Sequence, residues 1–269
     1  MKPTTARRAG PLLGPLGALL AFAAVVSCKR STWDPPAPDR SGGELPTVSA
    51  RRVPTGAFTL DGKLDEAAWQ TAGDTGGFVH PGTGRPEPRS HVKGAARIAW
   101  DNQNLYLGFV IGDGKPATPF AADAVDPHLW ERSSAIEAMI QPGDPGNNSH
   151  YYELQVDPAG AVWDTRFDDY NRPITNGPDG RRFGHQDWSS RVRKGITVEG
   201  GRYTIELALP WDAFASPNAP SPPRPGDVWR MNLYSFRDGQ RDALAWSPTL
   251  GQGNFHFAPR FGKVRFEAP

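Results

Sequence analysis

A single cysteine, Cys28, stands in the 269 residues, so no disulfide can staple the chain and its stability must come from a buried core. Neither sign of charge dominates. Thirty Lys and Arg face 29 Asp and Glu, a net charge of +1, which removes the electrostatic case for a nucleic acid or an acidic surface as partner and suits a neutral ligand better. The six histidines are scattered without the short spacings of a zinc site, so no zinc centre is expected. No apolar run reaches the roughly 20 residues that a membrane span needs. Internal repeats and long stretches of helical period are lacking as well.

What the chain has instead is glycine and proline, 30 and 28 residues, a content that disfavours long helices and suits short strands joined by turns. With 38% hydrophobic and 22% charged residues, there is apolar material for one sizeable core. At the N-terminus Lys2, Arg7 and Arg8 precede an uncharged apolar run over 12–26, closed by Val25-Val26-Ser27-Cys28 as a lipobox would close it. This pattern predicts a bacterial lipoprotein signal over 1–27, with Cys28 lipidated after cleavage and the remainder exported to the cell envelope. Lys29 after the cysteine points to the outer membrane. From 28 to 46 the sequence is rich in Pro, Gly, Ser and charge without apolar period, which predicts a disordered tether in which Trp33 is incidental. Residues 47–269 are expected to form the folded domain.

Within that domain the apolar period is two. Asp61-Gly62 makes a turn, Asp65 can cap, and residues 66–69 read as a short helix with Trp69 as a core plug beneath it. Residues 70–92 read as irregular. The runs 92–100 and 105–112 predict a hairpin whose second strand puts Leu105, Leu107, Phe109 and Ile111 on one face, as a sandwich core requires. In 202–210 Tyr203, Ile205, Leu207 and Leu209 alternate inward, with Thr204 and Glu206 outward. Residues 166–191 read as polar loop. Runs at 228–236, 243–246 and 263–266 complete about ten short strands, an all-β antiparallel sandwich of jelly-roll type, with Trp100, Trp211, Trp229 and Trp246 in or at the rim of its core.

The stretch 129–168 carries the most chemistry. In 134–141 Ser134, Ile136, Ala138 and Ile140 share one face and Glu137, Met139 and Gln141 the other. In 151–157 Tyr152, Leu154 and Val156 alternate with Tyr151, Glu153, Gln155 and Asp157. A hairpin through 144–148 then sets Glu137 among Gln155 and Glu153 on one polar face, with Trp130 at its entrance. That is the form of a small-ligand platform on a sheet. Packing at the edge of the core is the alternative role for Trp130.

The segments DGKLDEAAW, IAWDNQNLYLGFVIGD, LWERSSAIEAMI, YYELQVDPAGAVWD, YTIELALPWDAF, GDVWRMNLYSFR and HFAPRFGKVRF, taken in order, resemble the family 9 carbohydrate-binding modules over about residues 58–267. The resemblance implies a β-sandwich related to the DOMON-type folds. It also implies a saccharide ring held between two aromatic side chains, with a Glu, an Arg and amide groups on its hydroxyls. Carried to this sequence, it makes Trp130 the first wall and Glu137 the hydroxyl-binding Glu, with one residue more between them than the family has. Phe255 falls where the family places its second Trp, Gln155 where it carries its Arg, and Gln252 near an amide contact. Asn232 and Arg237 match as structural supports. The implied function is a non-catalytic, monomeric module that holds a sugar or glycan end at the cell envelope in support of carbohydrate breakdown. Sugar chemistry agrees, since a face of C–H groups needs aromatic planes and a rim of hydroxyls needs fixed planar donors and acceptors.

Other classes remain open at this point. Glu137 and Glu153 on neighbouring strands could approach the carboxylate separation of a glycosidase, about 5 to 9.5 Å; with nearly every segment spent on one sandwich, no hydrolysis is expected. Related DOMON-type sandwiches hold haem through Met and His, for which Met139, Met231 and His256 are the candidates. Otherwise no cofactor is expected beyond a structural calcium. A sandwich that serves only protein contacts at the envelope is the third alternative.

Overall fold

The computed structural model describes Met1, residues 33–177 and residues 180–269; the expected signal segment and Cys28 lie outside the described residues. β1 (Thr47–Arg52) is followed by a helical turn, α1 (Ala67–Thr71), and by β2 (Gly73–Gly77), β3 (Val92–Trp100) and β4 (Asn104–Asp113). A second helical turn, α2 (Leu129–Arg132), leads into β5 (Ala135–Gln141), β6 (Ser149–Val156) and β7 (Val162–Asp169), then into the small hairpin of β8 (Thr175–Gly177) and β9 (Gly180–Arg182). β10 (Arg193–Glu199), β11 (Arg202–Pro210), β12 (Val228–Arg237), β13 (Asp242–Ala245) and β14 (Gly262–Glu267) complete the order.

Apart from β8 and β9, the strands join in one curled sheet, β10-β11-β4-β3-β1-β14-β12-β5-β6-β7, with β2 beside β3 and β13 beside β12. Pairing is antiparallel except at β1, which runs parallel to both β14 and β3. The purely antiparallel expectation fails at this junction because hairpins force antiparallel neighbours, whereas β1 meets its neighbours through long connections that leave direction free. β1 thereby joins two half-sheets whose inner faces share a single core. Leu105, Leu107, Phe109 and Ile111 of β4 and the inward residues of β11 belong to it, together with Ile136, Ile140, Leu154 and Met231 of the other half. Trp229 is packed edge-on by Trp211 and Phe266, each at 5.5 Å. Trp100, Trp211 and Trp246 are buried too, as the sequence predicts.

Both outer faces are covered, and here the alternation misleads. Glu206, expected in solvent, is buried because the segment around Phe58, Leu64 and α1 lies over β3, β4 and β11. Trp69 Nε1 donates to Glu206 Oε1 at 2.9 Å, and the backbone N–H groups of Asp61 and Gly62 donate to Oε2 at 2.9 and 2.8 Å. Burial pushes the Glu206 carboxyl up to about 7 against the pull of those donors. Glu66, not Asp65, stands at the N-cap of α1, and it makes no side-chain cap. Its Oε1 accepts instead from Thr59 N–H at 2.8 Å.

Residues 33–46 correct a second expectation. The Arg40 guanidinium donates to the carbonyls of Gly77 and Thr75 at 3.0 and 2.6 Å, and Gly77 N–H donates to Pro36 O at 3.0 Å. Trp33 Nε1 donates to Asp74 Oδ2 at 2.8 Å, with the Arg97 guanidinium 4.6 Å from the indole centre. This stretch is therefore tied along β2 while much of it stays exposed, and Trp33 is a packing residue. Directional bonds hold it, and those leave no apolar period to read.

Candidate functional site

The outer face of β5, β6 and β7 is built by strict register. Glu137 pairs with Gln155 and Gln155 with Trp163; Met139 pairs with Glu153 and Glu153 with Thr165. Because alternate residues share a face, these rows stand beside one another on the side away from the core. A cavity of about 660 Å³ opens over them, within the range of small-molecule sites. Trp130, Trp163, Phe167, Tyr170, Phe183 and His256 supply its rings, and buried Glu153, Gln155 and Thr165 its polar floor. Exposed Arg182, Gln186 and Gln240 also line it.

The rings brace one another. Trp130 stacks on His128 at 4.3 Å and meets Trp163 edge-on at 4.6 Å. Tyr170 lies flat on His256 at 3.9 Å, and Phe167 on Tyr151 at 4.7 Å. Such mutual support fixes ring planes before a ligand arrives, which lowers the entropy cost of binding. Tyr151 OH lies 2.7 Å from His256 Nδ1, and burial keeps His256 neutral by lowering its pKa to about 3.

Beneath the rings one amide holds two acids. Gln155 Nε2 donates to Glu137 Oε2 at 2.8 Å and to Glu153 Oε1 at 2.9 Å. A second amide, Gln240 Nε2, donates to Glu137 Oε2 at 2.9 Å. Burial pushes Glu137 up to about 8; burial, with Glu137 close by, raises Glu153 well above the ordinary carboxylate range. Gln155 Oε1, Glu153 Oε2, Glu137 Oε1, Trp163 Nε1 and Thr165 Oγ1 are buried without a partner among the described residues. Buried polar atoms normally find partners, so a run of them along a cavity marks groups left for a ligand or water to satisfy.

The expected site residues are brought together in part. Trp130 and Gln155 line the cavity, and Glu137 lies behind it, fully buried and bonded to Gln155 and Gln240. Phe255 is not among the lining residues; it stacks on Tyr234 at 4.1 Å, interplanar angle 7°. Gln252 is exposed in the turn after Thr249, to whose carbonyl its backbone N–H donates at 3.1 Å. Asn232 is a support, donating to Ser247 O at 2.8 Å and accepting from Ser247 N at 2.9 Å, and Arg237 lies 3.6 Å from Asp113. Of the haem candidates, Met231 belongs to the inner core and Met139 to the outer cluster, so the two methionines cannot face one ligand. Among the described residues no group of His, Cys, Asp and Glu is arranged to hold a metal ion.

Sequence reasoning missed Tyr170, Phe183 and Gln186, which come from a stretch read as loop. It also missed Gln240, for which no local signal exists. Gln240 arrives because Gly239, at φ +64°, lets its turn press on the Trp130 and Glu131 carbonyls, where a Cβ would sit 2.6 Å away.

The buried acids predict a pH dependence. A carboxyl whose folded pKa is raised keeps its proton in the native state after the unfolded chain has lost it, so stability falls as pH rises through that window. Glu206 and Glu137, raised from 4.5 to about 7 and 8, spread the fall from about pH 4.5 to about pH 8. His256, lowered from 6.5 to about 3, acts in the opposite sense between those values, so the fall is unopposed by it above about pH 6.5. Denaturation midpoints of the free protein should drop between about pH 6.5 and 8 by on the order of 1 kcal/mol. Midpoints that stay level or rise would contradict the burial of these acids.

A sequence profile of the carbohydrate family 9 binding domain-like family matches residues 60–268. No curated protein matches the chain. Among solved structures, a candidate carbohydrate-binding protein of Bacteroides uniformis is similar with a TM-score of 0.62 at 18% identity, over 83% of this chain and 100% of that one. A family 9 carbohydrate-binding module of Caldicellulosiruptor kristjanssonii in complex with cellotriose gives 0.53 at 12% identity, covering 83% and 94%. The same organism's family 9 module with glucose gives 0.54 at 11%, covering 83% and 96%. At these identities the structural likeness establishes the fold.

Proposed function

The chain belongs to the carbohydrate family 9 binding domain-like family, and from that premise we propose that it is a non-catalytic module that holds a sugar or glycan end in the cavity over β5, β6 and β7. One observation carries the proposal. Braced aromatic faces stand over a floor of buried polar atoms that lack partners, the two surfaces that a sugar's C–H face and hydroxyl rim require. Trp130 and Trp163 serve as walls, while Gln155, Glu153 and Thr165 meet hydroxyls and Glu137 orients Gln155. Glucose and cellotriose, bound by the two Caldicellulosiruptor modules, are the first ligands to try.

An aromatic contact of about 0.5 to 1.5 kcal/mol and a few net hydrogen bonds near 1 kcal/mol each give a micromolar to millimolar site. Retention on a polymer would then rest on multivalency. The basic residues, apolar run and Cys28 of the N-terminal segment support a lipid anchor at the cell envelope, with the module presenting glycans to separate degradative enzymes.

A glycan array with wild type and Trp130→Ala tests the assignment. Wild type should retain at least one glycan, and the variant should bind it about tenfold more weakly. No retained glycan and no difference between the two proteins would refute it.

A further inference from the structure

Among the described residues, two buried acids meet at the cavity with no charged cation in ion-pair contact. Glu153 forms part of its floor and Glu137 lies behind, both bonded through the single amide nitrogen of Gln155. Among the described residues the basic side chain nearest Glu153 is His256, whose Nε2 is 3.7 Å from Glu153 Oε2 and which burial keeps neutral. Arg182 also lines the cavity, but it is exposed and its charge is solvated. The Gln155 side chain supplies two donors and no charge. Among the described residues Glu153 Oε2 and Gln155 Oε1 have no hydrogen-bond partner, nor have Trp163 Nε1 and Thr165 Oγ1.

An acid buried without a countercharge stays protonated, and a ligand that brings a positive charge lets it ionise and pair. A neutral hydroxyl offers only a bond. The indole of Trp163, which lines the cavity, acts in the same direction, because an aromatic ring attracts a cation.

We propose that the cavity selects sugars that carry a free amino group, the hexosamines, with the ammonium against Glu153 and ring hydroxyls on Gln155, Thr165 and Trp163 Nε1. This specificity rests on the sugar-binding proposal above. An acetylated amine loses the charge and with it the advantage.

Calorimetric titration of the whole protein with glucose, glucosamine, N-acetylglucosamine and ethanolamine at neutral pH, in two buffers of different ionisation enthalpy, tests it, and pairing with the ammonium should release the Glu153 proton to the buffer. Glucosamine should bind about tenfold tighter than glucose and N-acetylglucosamine, the gap between a charge-assisted and a neutral bond. Ethanolamine, which has the charge but no ring, should not bind measurably. In Gln155→Arg, which places a cation between the acids, the ratio of glucosamine to glucose affinity should fall below one; in Glu153→Gln it should fall to about one. Equal binding of glucose and glucosamine by wild type would overturn the amino-sugar specificity and leave sugar binding standing. Ethanolamine binding as tightly as glucosamine would also overturn it, since the ring would then contribute nothing. If none of the three sugars binds, the amino-sugar specificity falls, and sugar binding falls with it only if the glycan array is empty as well. The wild-type comparison decides even if a variant does not fold.

Discussion

Gln155→Ala is expected to lose about 3 kcal/mol of stability in weak base, above the pKa of about 8 at which Glu137 ionises, the lower end of the cost of breaking a buried charged network, and to bind no sugar measurably. The reason is that one amide nitrogen supplies a donor to each of two buried carboxyls, at 2.8 and 2.9 Å. Register places Glu137 directly across from Gln155, and Glu153 follows on the same face of the same strand. Alanine removes both donors and leaves the acids facing each other through a small void. Protonation is the only relief open to them, so the cost should shrink in acid, where wild type and variant both carry neutral carboxyls, and grow above neutrality. Gln155→Met separates the causes, since it fills the volume without donating. Denaturation midpoints in acid and in weak base should show the methionine variant near wild type in the first and well below it in the second. A methionine variant as stable as wild type at both would mean that the amide does not hold the acids.

Trp69→Ala should cost more, about 4 kcal/mol, the middle of the range for deleting a buried large aromatic. The indole is fully buried, 4.1 Å from the Phe58 ring, and fits over Gly108 of β4, where a Cβ would lie 3.0 Å from it. It also donates to Glu206. Its loss opens a cavity on the outer face and removes one of three donors from a buried acid, so the segment across β4 and β11 should loosen. Trp69→Phe keeps most of the packing and loses the donor, which alone is worth about 1 to 2 kcal/mol. Thermal melts of the two variants apportion the effect; equal melting temperatures for alanine and wild type would show that this face is not part of the folded core. Sugar binding is expected to survive in Trp69→Phe, since the cavity is on the other half-sheet.

The sandwich was legible because its core strands alternate. Leu105 to Ile111 and Tyr203 to Leu209 announce both the strand and the face that is buried. Alternation gives only parity, however, and does not say whether a further layer covers the outer side. Glu206 was therefore placed in solvent, although residues distant in sequence bury it. The same parity puts Glu137, Glu153 and Gln155 on one face, and the family resemblance gives Glu137 and Gln155 a role but Glu153 none; the burial and shared amide of all three depend on cross-strand register. The cavity's Tyr170 and Phe183 sit in a polar stretch around the short β8–β9 hairpin, which has too few residues for any period to emerge. Residues 33–46 show no apolar period because the Arg40 guanidinium and backbone carbonyls, rather than apolar side chains, hold them to β2.

The central claim is that a sugar occupies the cavity over β5, β6 and β7, and indole resonances report its location directly. Titration of the 15N-labelled protein with cellotriose and glucosamine, followed through the indole N–H signals of the nine tryptophans, should move Trp130 and Trp163, which line the cavity. The signals of Trp69, Trp229 and Trp246, enclosed elsewhere, should stay in place. If no indole signal moves, or if those that move lie away from the cavity, the site assigned here is wrong.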